Sequence, residues 1–355
     1  MKKLIALFLM IALLLCGCTV EIVLGPETTV PPATPVVTDG ALSVHFIDVG
    51  QADCALIECD GAFMLIDGGN RDDGQKVVSY LQSCGVEELE AVICTHAHED
   101  HVGGLPAVLA VYPTAQVYAP TKTYSSKIFD DFLYYVDQQR LEVIIPEPGD
   151  TLTLGQAEAK ILGPVMSYAE TNDTSIVVRL DFYNNSFLFT GDMEVAAEND
   201  MLDYWEGRMD WNVDLLKVGH HGSTTSSGYR FVYETDPEYA VISVGTDNSY
   251  GHPHDEIVDR YSDAGVPMFR TDELGTILAV SDGNEITITW ENRHAQPDDV
   301  QPAEDFGAGF IGNKNSRKFH APTCDSLPGE KNRVEFETYK EAVEAGYTPC
   351  SGCIG

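Results

Sequence analysis

The run "AVICTHAHEDHVGG" (91–104) constrains this chain more than any other stretch. A short apolar segment stops at Thr95, and His96, His98, Asp100 and His101 follow within six positions. Imidazoles and carboxylates at the end of a buried strand need a compensating partner, because unpaired buried polar groups are costly. The mixture of nitrogen and carboxylate ligands suits zinc, with manganese or iron as alternatives. Alone, such a turn could be a polar loop without a metal. The distribution of histidine along the chain argues against that. His220 and His221 close "LLKVGHHG", His252 and His254 lie in "YGHPH", and only His45, His294 and His320 fall elsewhere. Asp192 ends the apolar segment "NSFLFTGD", and Asp67 ends "AFMLID".

The periodicity around these points alternates between strand and helix. "ALSVHFIDVG" (41–50) reads as a strand, and 54–69 as a hairpin turning at Asp60–Gly61. Helical spacing follows over 73–84, then a buried strand over 89–95 and a helix starting near His101. Further helices are expected at 125–138, 194–206 and 254–264. "VDLLKVGHHGS" (213–223) reads as a strand ending in ligand-type residues, a geometry that would send His220 and His221 to opposite faces. Hairpins mixed with strand–helix alternation imply mixed sheets with helices outside. The expected fold is therefore α/β, a four-layer αββα sandwich over 41–291. Polar residues collect at strand ends, the usual place for a site in such folds.

At this point the chain resembles a known family. "THAHEDHVGG" matches the HxHxDH motif of the metallo-β-lactamase fold. "DVGQADCALIE", "IDGG", "NDTSIVVRL", "FTGD", "LLKVGHHGS" and "YGHPHDE" together resemble its competence-protein branch. That branch includes the extracytoplasmic hydrolase domain of bacterial DNA-uptake channels and free-standing exported relatives. The resemblance implies two divalent metals, zinc or manganese. His96 and His98 would hold the first, Asp100, His101 and His221 the second, and Asp192 would bridge them. Many members have a further histidine before the bridging aspartate. No histidine lies between His101 and His220 here, and the corresponding stretch is "NDTS" (172–175). The first metal would then have fewer protein ligands, with Asn172 and Asp173 helping indirectly. Asp67 would orient a ligand histidine. His220 would face the substrate, and His252 or His254 would donate a proton to the leaving group or hold a phosphoryl oxygen. Ser223 and Thr224 are further candidates for substrate contact. The implied chemistry is attack by an activated water on a phosphodiester, with DNA the leading substrate. The fold name does not establish a β-lactam substrate.

The ends of the chain read differently. Residues 1–18, "MKKLIALFLMIALLLCGC", join two lysines to an apolar run that is short for a membrane span and suits an export signal. The run resembles the bacterial lipoprotein signal, in which the last cysteine is lipidated. Cys18 fits better than Cys16, because the small Gly17 precedes it; a plain secretory signal is the alternative. Residues 19–40, rich in Pro and Thr, suit an extended tether. The expectation is a lipid-anchored protein on the extracytoplasmic side of the cell membrane. The net charge of −35 repels nucleic acid and anionic lipid at long range. Bound metal ions can invert the field locally, so neither is excluded as a substrate.

After an acidic, Pro-containing stretch over 292–308, read as a linker, residues 309–355 change character. Basic residues cluster, and His320, Cys324, Cys350 and Cys353 offer four metal ligands. A segment of about 45 residues is too short for a strong core unaided, and a closed structural zinc site would supply the missing stability. A disulfide, Cys350–Cys353 or one to Cys324, is the competing reading. "NSRKFHAPTC" and "EAVEAGYTPCSGC" resemble the zinc-binding module of the bacterial adaptive-response DNA repair protein. All four ligands are cysteines there, and His320 takes the first place here. The change weakens any claim of methyl-group transfer and leaves a structural or binding appendage. Two other functions compete with the phosphodiesterase: a non-catalytic lipoprotein that binds nucleic acid or cell-wall polymer, and a hydrolase of carbonyl esters or lactams.

Overall fold

A computed structural model describes residues 40–292, 309–322, 324, 326–350 and 352–354. The signal (1–18), Cys18, the tether up to residue 39 and the linker from residue 293 lie outside the described residues. Among the described residues no helix is long and apolar enough to cross a membrane.

The first half of the chain contributes β1 (Leu42–Phe46), β2 (Ala55–Cys59), β3 (Ala62–Ile66), β4 (Leu89–Ile93), β5 (Thr114–Tyr118) and β6 (Val143–Ile144). The stretch that follows contributes β7 (Thr151–Leu154), β8 (Ala157–Gly163), β9 (Val177–Phe182), β10 (Asn185–Phe189), β11 (Leu215–Lys217), β12 (Tyr239–Ile242) and β13 (Met268–Arg270). β14 (Ile277–Ser281) and β15 (Ile286–Trp290) return to the first sheet, whose order is β15-β14-β1-β2-β3-β4-β5-β6. The second sheet runs β13-β12-β11-β10-β9-β8-β7.

One apolar core lies between the sheets. Leu42, Val44, Phe46 and Ile57 of the first sheet meet Ile161, Val178, Phe182 and Phe189 of the second. The Phe46 and Phe189 rings stack at 6.0 Å between centroids. Helices α1 (Gly74–Ser83), α2 (Glu99–Val102), α3 (Leu105–Val111) and α4 (Lys127–Gln138) cover the outer face of the first sheet and bury a second core. α5 (Val195–Trp205), α6 (Tyr229–Thr235) and α7 (Asp255–Asp263) do the same for the second sheet. The result is the expected α/β four-layer sandwich. α4 shows the local logic: the Ser126 hydroxyl caps the Phe129 amide at 3.2 Å, and Ile128, Phe129, Phe132 and Val136 recur at helical spacing on the buried face.

Two departures bear on the site. α2 starts at Glu99, so Asp100 and His101 occupy the first turn of a helix. β11 covers only Leu215–Lys217, not 213–223. The chain leaves the sheet at Val218, and His220 and His221 both take left-handed backbone angles (φ 50° and 54°). The expected strand alternation of the two rings therefore does not apply.

After a short helix α8 (Thr271–Leu274), the C-terminal segment forms its own sheet. β16 (Phe310–Asn313), β17 (Lys318–His320), β18 (Arg333–Phe336) and β19 (Thr348–Pro349) take the order β18-β16-β17-β19, with α9 (Tyr339–Glu344) against them. Phe310, Phe319, Phe336 and Tyr339 form its core, and Tyr229 and Tyr233 of α6 pack on it.

Candidate metal centre

Strands that run parallel deliver the polar residues to one edge. β3 and β4 are parallel in the first sheet, as are β10, β11 and β12 in the second. Asp67 follows β3, the 96–101 turn follows β4, Asp192 follows β10, and His220–His221 follow β11. Gly191 makes the approach of Asp192 feasible: its φ is +54°, and a Cβ there would lie 2.9 Å from the Ser175 hydroxyl and 3.0 Å from Thr95 Cβ.

The cluster is built outwards from Asp67, which is buried. Its Oδ1 accepts from the Thr95 amide, and its Oδ2 accepts from the Thr95 hydroxyl and from His101 Nδ1 at 2.8 Å. That contact places the His101 proton on Nδ1 and leaves Nε2 facing Asp192 Oδ1 at 3.2 Å and Asp100 Oδ2 at 3.8 Å. His221 is held in the same way. Its Nδ1 donates to the Ser243 carbonyl at 2.9 Å, and its Nε2 faces Asp100 Oδ2 at 3.3 Å and Asp192 Oδ1 at 3.7 Å. His101 Nε2, His221 Nε2 and Asp192 Oδ1 are buried atoms without a hydrogen-bond partner. With Asp100 they offer four ligand atoms within 4.8 Å of one another.

Electrostatics point the same way. Burial opposes a charge on His101 and His221. The carboxylates of Asp192, Asp67 and Asp100 nonetheless lift His101 well above its usual range, and Asp192 and Asp53 lift His221 to about 10. Burial likewise works against ionised Asp192, yet His101 and His221 hold its carboxyl well below the normal carboxylate range. The cluster draws in positive charge, as protons or as a cation. Two imidazole nitrogens held in the correct tautomer and two carboxylates fit a divalent transition metal.

The other candidates lie around this group. His96 is buried, and its Nε2 sits 3.0 Å from His98 Nδ1 and 3.7 Å from Asp192 Oδ2. His96 and His98 are outside the four-residue group. Burial, then His101, keeps His96 neutral. His220 Nδ1 pairs with the Thr225 hydroxyl at 2.9 Å, leaving its Nε2 at 3.7 Å from Asp192 Oδ2. The His252 ring lies 5.6 Å from that of His220 and 4.8 Å from that of His254. Gln51 Oε1 accepts from the Gly245 amide, so Gln51 Nε2 faces His252 Nδ1 at 3.4 Å. Burial, then the neighbouring histidines, lowers the His252 pKa to about 4. His254 Nδ1 accepts from the Thr224 amide at 3.0 Å. Ser223 is buried and its hydroxyl meets that of Thr225, whereas Thr224 is exposed.

Asn172 and Asp173 do not reach the ligand atoms. Asn172 Nδ2 donates to Glu194 Oε1, and Asp173 Oδ1 accepts from the Glu194 amide. Their neighbour Ser175 makes the direct contact, its hydroxyl accepting from the Asp192 amide at 3.1 Å. Sequence reasoning passed over two further residues, Asp53 and Lys217. They form a buried ion pair, and Asp53 Oδ1 lies 3.2 Å from His221 Nδ1. The available signal was a lone lysine inside the apolar "VDLLKVG".

The C-terminal cluster is separate. His320, Cys324, Cys350 and Cys353 also offer ligand atoms within 4.8 Å, with His320 Nδ1 3.3 Å from Cys324 Sγ. All three cysteines are free thiols, so no disulfide closes this segment. Nitrogen and thiolate donors in this number suit a closed zinc site.

Residues 47–246 match the Metallo-beta-lactamase superfamily, and residues 300–354 match the Metal binding domain of Ada. ComE operon protein 3 of Bacillus subtilis is 28% identical over 253 residues, covering 66% of this chain and 32% of that protein. Competence protein ComA of Neisseria gonorrhoeae is 29% identical over 248 residues, covering 70% of this chain and 33% of that protein. The chain thus spans about a third of the length of these relatives. The metallo-beta-lactamase fold protein YhfI from Bacillus subtilis aligns over 70% of this chain and 100% of its own, at 14% identity and a TM-score of 0.46.

Proposed function

We propose, for a chain that belongs to the metallo-beta-lactamase superfamily, that it is a phosphodiesterase of the extracytoplasmic face, anchored through a lipid on Cys18 and acting on DNA or a related polyanion. The observation that carries the hydrolytic reading is the convergence of three partnerless buried atoms, His101 Nε2, His221 Nε2 and Asp192 Oδ1, with Asp100 on one point. The match to a protein named for competence covers 70% of this chain and that to a hydroxyacylglutathione hydrolase 29%; on the longer resemblance we favour a phosphodiester over a carbonyl ester.

His101, His221, Asp100 and Asp192 would hold one divalent ion. His96 and His98, with Asp192 Oδ2, would hold a second. Such ions supply water activation at neutral pH and Lewis acidity towards a phosphoryl oxygen. The chain's own residues supply position. Asp67 and the Ser243 carbonyl fix which imidazole nitrogen faces inwards. Asp192, set by Ser175, presents one oxygen to each side of the cluster. His252, neutral at pH 7, accepts from Gln51 at Nδ1 and so carries its proton on Nε2. That N–H can donate to a phosphoryl or leaving-group oxygen. His220 Nε2 lies beside the same carboxylate and is partly exposed.

The test uses the purified protein loaded with zinc or manganese, linear single-stranded DNA and bis(p-nitrophenyl) phosphate, with Asp192→Ala as control. Cleavage of both, lost in the control, is the expected result. Cleavage of the small diester alone moves the substrate away from DNA. No turnover of either substrate by a metal-loaded protein would sink the phosphodiesterase reading, and would favour the binding lipoprotein or the carbonyl substrate.

A further inference from the structure

The loop after β12, "TDNSYGHPH" (246–254), carries an aromatic residue that the reading above leaves unused. Tyr250 is 67% exposed, yet its ring is not loose. It stacks on His252 with centroids 5.6 Å apart and planes 23° apart, and His252 in turn lies 6.4 Å from His221 with planes 24° apart. His252 is thus flanked in ring contact by the candidate ligand His221 and by the exposed Tyr250, each within 24° of its plane. Asn248 fixes the loop from within: its Oδ1 accepts from the Tyr250 and His252 amides at 3.1 and 3.0 Å, and its Nδ2 donates to the Gly245 and His252 carbonyls. Gln51 ties the same loop to the first sheet's edge through Gly245 and His252. A second tyrosine near the cluster, Tyr124, has its ring 6.3 Å from His98, but it is half-buried and packed on Phe129 at 6.0 Å. Tyr250 alone of the two offers an open face.

We infer that Tyr250 is a stacking platform for a planar base next to the scissile phosphate, so that the substrate is a nucleic-acid strand with unpaired bases at the point of cleavage. The inference rests on the phosphodiesterase reading. A ring suits this task in a chain of net charge −35, because it adds attraction without adding charge that would repel the backbone. Every base has a π-face, so stacking on Tyr250 would bring affinity without sequence preference. A paired base inside a duplex keeps its faces covered by its neighbours and cannot use the platform.

The experiment compares kcat/KM for two oligonucleotides of equal length and charge, oligothymidylate and its counterpart with tetrahydrofuran abasic units. It uses the metal-loaded full chain and its Tyr250→Ala and Tyr250→Phe variants. The native protein should prefer the base-bearing strand by about tenfold, chiefly through KM, in line with a single base–aromatic stack. Tyr250→Phe should keep that preference and Tyr250→Ala should bring the ratio close to one. Equal cleavage of both strands by the native protein would overturn the platform and leave the phosphodiesterase intact. So would a preference that survives in Tyr250→Ala, or an equal loss on both strands with the ratio unchanged. Hydrolysis of bis(p-nitrophenyl) phosphate without cleavage of either strand would overturn the nucleic-acid substrate, and the platform with it.

Discussion

Replacing Lys217 by Met tests whether the buried pair beneath the cluster holds it together. Lys217 ends β11, and its side chain is 5% exposed; that of Asp53 is 8% exposed. Burial on its own would raise the Asp53 pKa. Lys217 first, then His221 and His101, bring it down to about 2. Among the described residues, removing the ammonium leaves the carboxylate facing two histidines whose other nitrogens already face Asp100 and Asp192. Breaking a buried ion pair from one side costs about 3–5 kcal/mol. The two histidines give partial compensation, so the lower end, about 3 kcal/mol, is expected here. Removing both charges in Lys217→Met/Asp53→Asn should recover at least half of the loss, because an uncharged pair of similar volume needs no partner. The assay is urea unfolding at pH 7 in chelator, which removes stabilisation by bound metal. All three tryptophans, Trp205, Trp211 and Trp290, lie in the larger domain, so their fluorescence follows that domain and not the C-terminal module. A single variant that loses less than about 1 kcal/mol, or a double variant worse than the single, would show that the ion pair does not hold the cluster together.

Three further outcomes follow from particular residues. His45 on β1 is buried against the Tyr80 hydroxyl, and burial lowers its pKa to about 4. The unfolded chain therefore binds the extra proton as pH falls below about 6.5, and stability should drop by up to about 3 kcal/mol between pH 6.5 and 4; His45→Leu should flatten that part of the profile in unfolding measured across pH. Changing Cys350 and Cys353 together to Ser should cost the module the metal that supplies most of its folding free energy. Limited proteolysis should then cut within 309–355 and spare 41–291. Cys18→Ala should abolish incorporation of labelled palmitate and release the protein from the membrane fraction; unchanged labelling would contradict the anchor.

The layers of the fold could be read from the sequence because they depend on period. β4 is an apolar run, β1 and β10 are continuous buried strands, and α4 recurs at three and four residues, so each announces itself locally. What resisted reading depends on contacts far apart in the chain. β7, "TLTL", is too short and polar to stand out. α6 follows a serine-rich loop; its Phe231 and Val232 join the core on the second sheet, and its Tyr229 and Tyr233 pack on the C-terminal module, contacts that nothing local announces. The left-handed pair His220–His221 contains no glycine to signal it, which is why 213–223 read as one strand. Asp53 lies about 160 residues from Lys217, and nothing local pairs them. The ligand-type residues were conspicuous because histidine is scarce and sits at strand ends. Their grouping is a property of two sheets whose parallel strands end on one edge.

Whether the strand-end cluster is a metal centre is decided by metal content and affinity, measured by plasma mass spectrometry and calorimetry on the native protein, Asp192→Ala and His221→Ala. The native chain should bind the metal of the His320–Cys353 module and at least one further divalent ion. Both variants should lose tight binding of that further ion while keeping the module's zinc. Identical stoichiometry and affinity in all three proteins would contradict a metal centre in that cluster.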